Sequence, residues 1–166
     1  MIYIDATSIV NDTTTKGAPD WFADTGPRKI SGLGMVPLGY CPPLKPGEQL
    51  SFARQDKPDA PGLVRGWLQA NPARKLPNLA KVPILILVAE ASYHATYDHV
   101  TAAYLAQAGV PNTFMRLVDL GIRGNGHMMM LEKNSDDIIK FIDNWVQKNV
   151  PKPAVQQTRA AASAAN

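Results

Sequence analysis

Seven residues near the end of this 166-residue chain, Gly124-Asn125-Gly126-His127-Met128-Met129-Met130, form its most chemically suggestive pattern. An imidazole titrates near neutrality, which suits it to taking and returning a proton as a general base. The glycines on either side of His127 allow backbone turns that bulkier residues resist. A lone loop histidine usually does no more than hydrogen-bond its neighbours. This one follows an apolar run, Thr113 to Val118, and precedes a well-marked final helix. That places it at the carboxyl end of a strand, where parallel sheets carry their sites, and the position favours chemistry.

A histidine base needs an acid to hold its second nitrogen. Asp5 ends the run Ile2-Tyr3-Ile4, and Glu90 ends Ile84 to Ala89. Both are expected near the sheet end that carries His127, with Asp119 a weaker third. Each has the common alternative of capping a turn or facing solvent. Tyr93 and His94 follow Glu90 and either line the site or start the next helix. The Met128–Met130 run reads as packing, since methionine fills irregular gaps. Met128, next to His127, is also placed to touch a substrate, and Asn125 is grouped with the binding residues.

The nucleophile is the missing part. No Gly-x-Ser-x-Gly elbow occurs in the chain. Gly32-Leu33-Gly34 follows Ser31 but lacks the preceding glycine and the strand-to-helix setting. Ser8, Ser31, Ser51, Ser92 and Ser135 stand in unsuitable contexts. There is no phosphate-binding loop or dinucleotide fingerprint. His94 and His99 are five apart, a poor spacing for metal ligands on one helix. No metal and no cofactor are expected.

The bulk numbers fit this frame. Hydrophobic residues make up 45% and charged residues 19%, the balance of a globular domain. The net charge of +3 is scattered, with no basic stripe interleaved with aromatics, which argues against nucleic acid as a partner. The longest apolar stretch, Val82 to Ala89, is too short to span a membrane. Cys41 is the single cysteine, so no internal disulfide forms, and its Pro-flanked loop reads as structural. No leader pattern is read at Met1, and a cytoplasmic location is the default expectation.

The elements that must position these residues are legible mainly in the second half. Met1 to Ile4 reads as a strand. Residues 6–78 are rich in Pro and Gly and mostly irregular, with a short helix or strand around Leu63 to Ala70. Ile84 to Ala89 is a continuous apolar run, the mark of a strand buried on both faces. Tyr97, Val100, Thr101, Tyr104, Leu105 and Ala108 fall at helical spacing, with Thr96 as cap and Gly109 as terminator. Thr113 to Val118 reads as the next strand. Asn134 or Ser135 caps a final helix with Asp136 and Asp137 in its first turn. Its apolar face is Ile138, Phe141, Ile142, Trp145 and Val146. Residues 151–166 are Ala-, Gln- and Ser-rich and read as a disordered tail.

Together, Gly32 to Leu38, Ala73 to Leu79, Val82 to His94 and Gly124 to Asn134 resemble the C-terminal part of an α/β-hydrolase. The likeness is to a bacterial and fungal esterase-like branch with a Gly-Asn-(Ser/Gly)-His-Met-Met histidine loop. It implies a partial α/β-hydrolase fold over residues 1–150. The expected sheet is a three-stranded, mostly parallel edge, strands six to eight, with flanking helices and a long irregular loop region. By position, His127 matches the catalytic histidine and Asp5 falls where that branch places an acid after strand six. There the acid is usually glutamate followed by proline, whereas here it is aspartate followed by Ala6. Glu90 matches the acid position after strand seven. The resemblance places the nucleophilic serine and oxyanion donors upstream of Met1, so the chain alone is expected to be inactive towards a small ester. The expected partners are that ester, in the full-length protein, and a companion chain or second copy at the exposed strand edge. The alternatives are one subunit of a split hydrolase or a non-enzymatic binding module.

Overall fold

A computed structural model describes residues 38–151 of the chain. The strand expected at Met1–Ile4, the acid Asp5 and the tail beyond residue 151 lie outside the described residues. The contacts divide the chain into two compact units, Met1–Met129 and Met130–Asn166.

The first unit is organised around one helix, α1 (Asp98–Gln107), and two small sheets. β1 (Phe52–Arg54) and β2 (Trp67–Gln69) pair antiparallel, with Ala53 opposite Leu68. β3 (Leu85–Val88) and β4 (Thr113–Arg116) pair parallel, with Ile86 opposite Phe114. α1 lies between β3 and β4 in the chain, as the crossover of a parallel pair requires.

Apolar residues on both sides of α1 are buried. Val100 and Tyr104 pack with Val64 and Tyr97, and Phe52, Leu68 and Tyr93 close around them. Leu105 and Ala108 pack with Leu76 and Val110, joined by Tyr40, Ile84 and Ile86. Each fully buried aliphatic side chain of this kind contributes about 1.5–3 kcal/mol relative to exposure.

The side facing β1 and β2 needs a close approach. A Cβ on Gly66 would lie 2.1 Å from a methyl of Val100, so only glycine lets this backbone meet the helix. Polar groups complete the joint. The Gln107 side-chain amide donates to the Gln69 carbonyl at 2.8 Å and accepts from the Gln69 N–H at 2.9 Å. The Gln69 side chain in turn bonds both backbone groups of Arg74 at 3.0 Å. The phenols of Tyr40 and Tyr104 meet at 2.7 Å. Burial pushes the Tyr40 phenol above its ordinary range, partly offset by that bond.

Several sequence expectations change here. The Pro- and Gly-rich stretch holds the β1–β2 pair, and Leu63 to Ala70 resolves to a strand, β2. The run Ile84 to Ala89 is not covered on both faces: Leu85, Ile86 and Leu87 are half-buried, and full burial begins at Val88. Among the described residues β4 is the one strand paired with β3, which leaves these side chains partly open. β4 stops at Arg116, and Leu117–Leu120 tightens into a 3₁₀ turn ended by Gly121 at φ 79°. Thr96 does not cap α1. A 3₁₀ turn, Tyr93–Thr96, runs straight into the helix, and its cap is Ser92, whose hydroxyl accepts from the His94 N–H at 3.1 Å.

In the second unit, α2 (Ser135–Asn149) carries Asp136 and Asp137 in its first turn and Lys148 in its last, matching the helix dipole. Asn134 occupies the cap position without a side-chain capping bond. Ile138 is buried, and Phe141, Ile142, Trp145 and Val146 are half-buried.

Candidate active site

Because β3 and β4 run parallel, the segments that follow them leave from the same end of the pair. After β3 the chain passes through Glu90, Ala91 and Ser92 into the Tyr93–Thr96 turn. After β4 it passes through Arg123 and Gly124 to His127. Gly124 has φ 76°, a left-handed backbone that favours glycine at this point of the loop.

Hydrogen bonds join the two segments. The Ala91 N–H donates to the Asn125 carbonyl at 2.9 Å. The Gly124 N–H donates to Glu90 Oε2 at 3.0 Å, and Arg123 Nη1 donates to Glu90 Oε1 at 3.0 Å. Both carboxylate oxygens of Glu90 therefore hold the histidine loop. Charge-assisted bonds of this type are stronger than neutral ones, though the exposure of Arg123 weakens its share.

His127 is half-buried on this anchored loop. Its Nδ1 lies 3.4 Å from the hydroxyl of Ser92, longer than a normal hydroxyl hydrogen bond. Its ring stacks on His94 with centroids 4.4 Å apart and planes 12° from parallel. Tyr93 packs against both rings, 4.4 Å from each. His94 is 3% exposed, and its Nδ1 lies 3.0 Å from Oδ1 of Asp98, the first residue of α1. The Tyr97 ring also packs on His94, with centroids 4.8 Å apart.

The candidate residues divide accordingly. His127, Tyr93 and His94 form one aromatic cluster. Glu90 reaches the loop backbone and Arg123. Asn125, 1% exposed, is closed off from solvent and gives its carbonyl to Ala91, a supporting position. Met128 and Met130 are 53% and 58% exposed, so the packing expected of the methionine run is left to Met129, which is half-buried. Asp119 is a surface residue paired with Arg116 at 3.9 Å. Asp5 lies outside the described residues. Cys41 is exposed on the loop bridged to Lys75. Among the described residues no cluster of His, Cys, Asp and Glu could hold a metal ion, and no helix is long and apolar enough to cross a membrane.

Two site residues escaped the sequence reading. Ser92 carries no nucleophile motif, yet it caps the turn and lies against His127. Asp98 carries no motif either, although it stands four residues after His94, a separation over which side chains meet in helical backbone.

The chain is 49% identical over 81 residues to a probable secreted lipase, PhiG, of a fungal species (strain ATCC 74256). The match covers 49% of this chain and spans 22% of the relative's length. No protein-family model matches the chain, and no solved structure matches it. Over about half of its residues the chain is thus related to a lipase-like protein.

Proposed function

We propose that this chain is the C-terminal part of a serine ester hydrolase of the α/β-hydrolase type, with His127 as its general base. The observation that carries this reading is the meeting of the segments after β3 and β4 around His127, on a loop fixed by Glu90 and Ala91. The similarity to a probable secreted lipase supports the same chemistry. A serine supplied from outside these 166 residues, by preceding chain or by a companion polypeptide, attacks the ester carbonyl. His127 takes the serine proton and returns it to the leaving alcohol. Water then attacks the acyl-enzyme, again with His127 as base. Ser92 lies on the Nδ1 side, the orienting side of such a histidine, so Nε2 is the nitrogen assigned to the reacting proton. Asp5 ranks ahead of Glu90 as the orienting acid, because the Glu90 carboxylate holds Arg123 and Gly124.

Complementation tests this reading. The purified chain is assayed with a short p-nitrophenyl ester and a fluorophosphonate probe, alone and mixed with the remainder of the related fungal lipase. The chain alone is expected to be inert, and the mixture to gain hydrolysis that His127→Ala lowers by about 10³-fold or more, since triad members act as a unit. His127-dependent turnover by the chain alone, or fluorophosphonate labelling of Ser92, would overturn it.

A further inference from the structure

The Asp98–His94 pair has no part in the chemistry described so far, and its geometry is unusual. A histidine with a 4% exposed side chain has one nitrogen fixed by a carboxylate at 3.0 Å. Its other nitrogen, Nε2, is buried and has no hydrogen-bond partner. A buried polar atom left without a partner costs free energy, and such atoms are rare unless something else fixes the side chain in place. Here the compensating contact is a near-parallel stack on His127, with centroids 4.4 Å apart and planes 12° from parallel.

We infer that His94 is a positioning residue for His127, a flat ring keyed by Asp98 that fixes the plane of the base and steadies the cation it becomes. The inference rests on the reading of His127 as the base. Asp98 accepts from Nδ1–H and thereby selects one tautomer and one ring orientation of His94. The His94 face then leaves His127 little freedom to swing away from Ser92. When His127 takes a proton, its charge lies over the π face of a neighbouring ring, an attraction that water screens poorly at a half-buried site. The ionisable groups packed on His94 are Asp98 from α1, Tyr93 and Tyr97 from the adjoining turn, and His127 from the loop.

Two variants separate this role from simple space-filling. His94→Phe keeps a flat ring, while His94→Leu keeps apolar bulk without one, and both leave Asp98 without its imidazole partner. NMR titration of the His127 ring in the intact 166-residue chain is the readout, so no catalytic activity is needed. The His127 midpoint in His94→Leu is expected to lie about 0.5 pH unit below that in His94→Phe, the size of a modest cation–π contact. The ring-current displacement of the His127 protons should survive in the Phe variant and vanish in the Leu variant. Equal midpoints in the two folded variants would overturn the inference. So would a wild-type His127 signal free of ring-current displacement, which requires no variant to fold. Failure of complementation, by contrast, would count against the esterase reading and leave the titration difference intact.

Discussion

The two sides of α1 meet two sheets built in different ways. Towards β3 and β4, Leu105 and Ala108 bury against mainly aliphatic side chains, with Tyr40 among them, beside a four-residue parallel ladder. Towards β1 and β2, strands of three residues are held by aromatic packing, a glycine contact and a glutamine side chain that binds both backbone groups of Gln69. One side draws on general hydrophobic burial, which tolerates substitution of similar volume. The other draws on particular atoms in particular places. The two histidines near the start of α1 show the same contrast. His94 takes its carboxylate from Asp98 four residues away at 3.0 Å, whereas His99 meets Asp59, from a distant loop, at 3.5 Å.

Truncation on the aliphatic side should have the largest effect. Leu105→Ala removes a side chain that is 1% exposed and should cost about 2–5 kcal/mol, read as a lower urea midpoint with an unchanged slope. A cost near zero would mean that the β3–β4 side does not anchor the helix. Next comes the close contact on the opposite side. Gly66→Ala drives a Cβ into Val100 and should destabilise by about 1–3 kcal/mol, with partial recovery in the double variant Gly66→Ala/Val100→Ala. Additive losses in that double variant would dissociate the cost from this contact.

The smallest effect is a pH dependence. Burial holds the His99 imidazole below its ordinary value near 6.5, with Asp59, a backbone bond at Val64 and Asp98 acting in opposition. A lowered folded-state value means that the unfolded chain binds the proton more readily. The stabilising contribution is therefore complete above pH 6.5 and is lost as the pH falls through the folded-state value. The melting temperature should decline on mild acidification, and His99→Gln should flatten that decline. A slope unchanged in the variant would assign the acid sensitivity to other groups.

The same contrast explains what the sequence made legible. Ile84 to Ala89 is apolar residue by residue, so a strand could be placed there within a residue or two, and the spacing from Tyr97 to Ala108 gave the helix. The β1–β2 pair left no such trace, because Phe52-Ala53-Arg54 and Trp67-Leu68-Gln69 are too short to show a period, and what joins them to α1 is tertiary. The extent of burial on β3 was also beyond local pattern, since it depends on which strands lie beside it. At the candidate site, His127 stood out through its glycines. Ser92 did not, because a serine that caps a turn carries none of the flanking glycines that mark one that attacks. Glu90 ended a strand as expected, yet strand-end position does not reveal which of several nearby donors a carboxylate takes. The helical spacing of His94 and Asp98 was readable, but the stack on His127 unites segments more than 30 residues apart.

The amide fork of Gln107 bears on how this molecule meets other chains. A short outer strand normally offers its N–H and C=O groups to any extended polypeptide that drifts past, a common beginning of fibrous assembly. At Gln69 both groups are already taken by the end of a helix. A side chain thus stands in for the next strand, and the smaller sheet has a stopper on one rung where it could otherwise have grown.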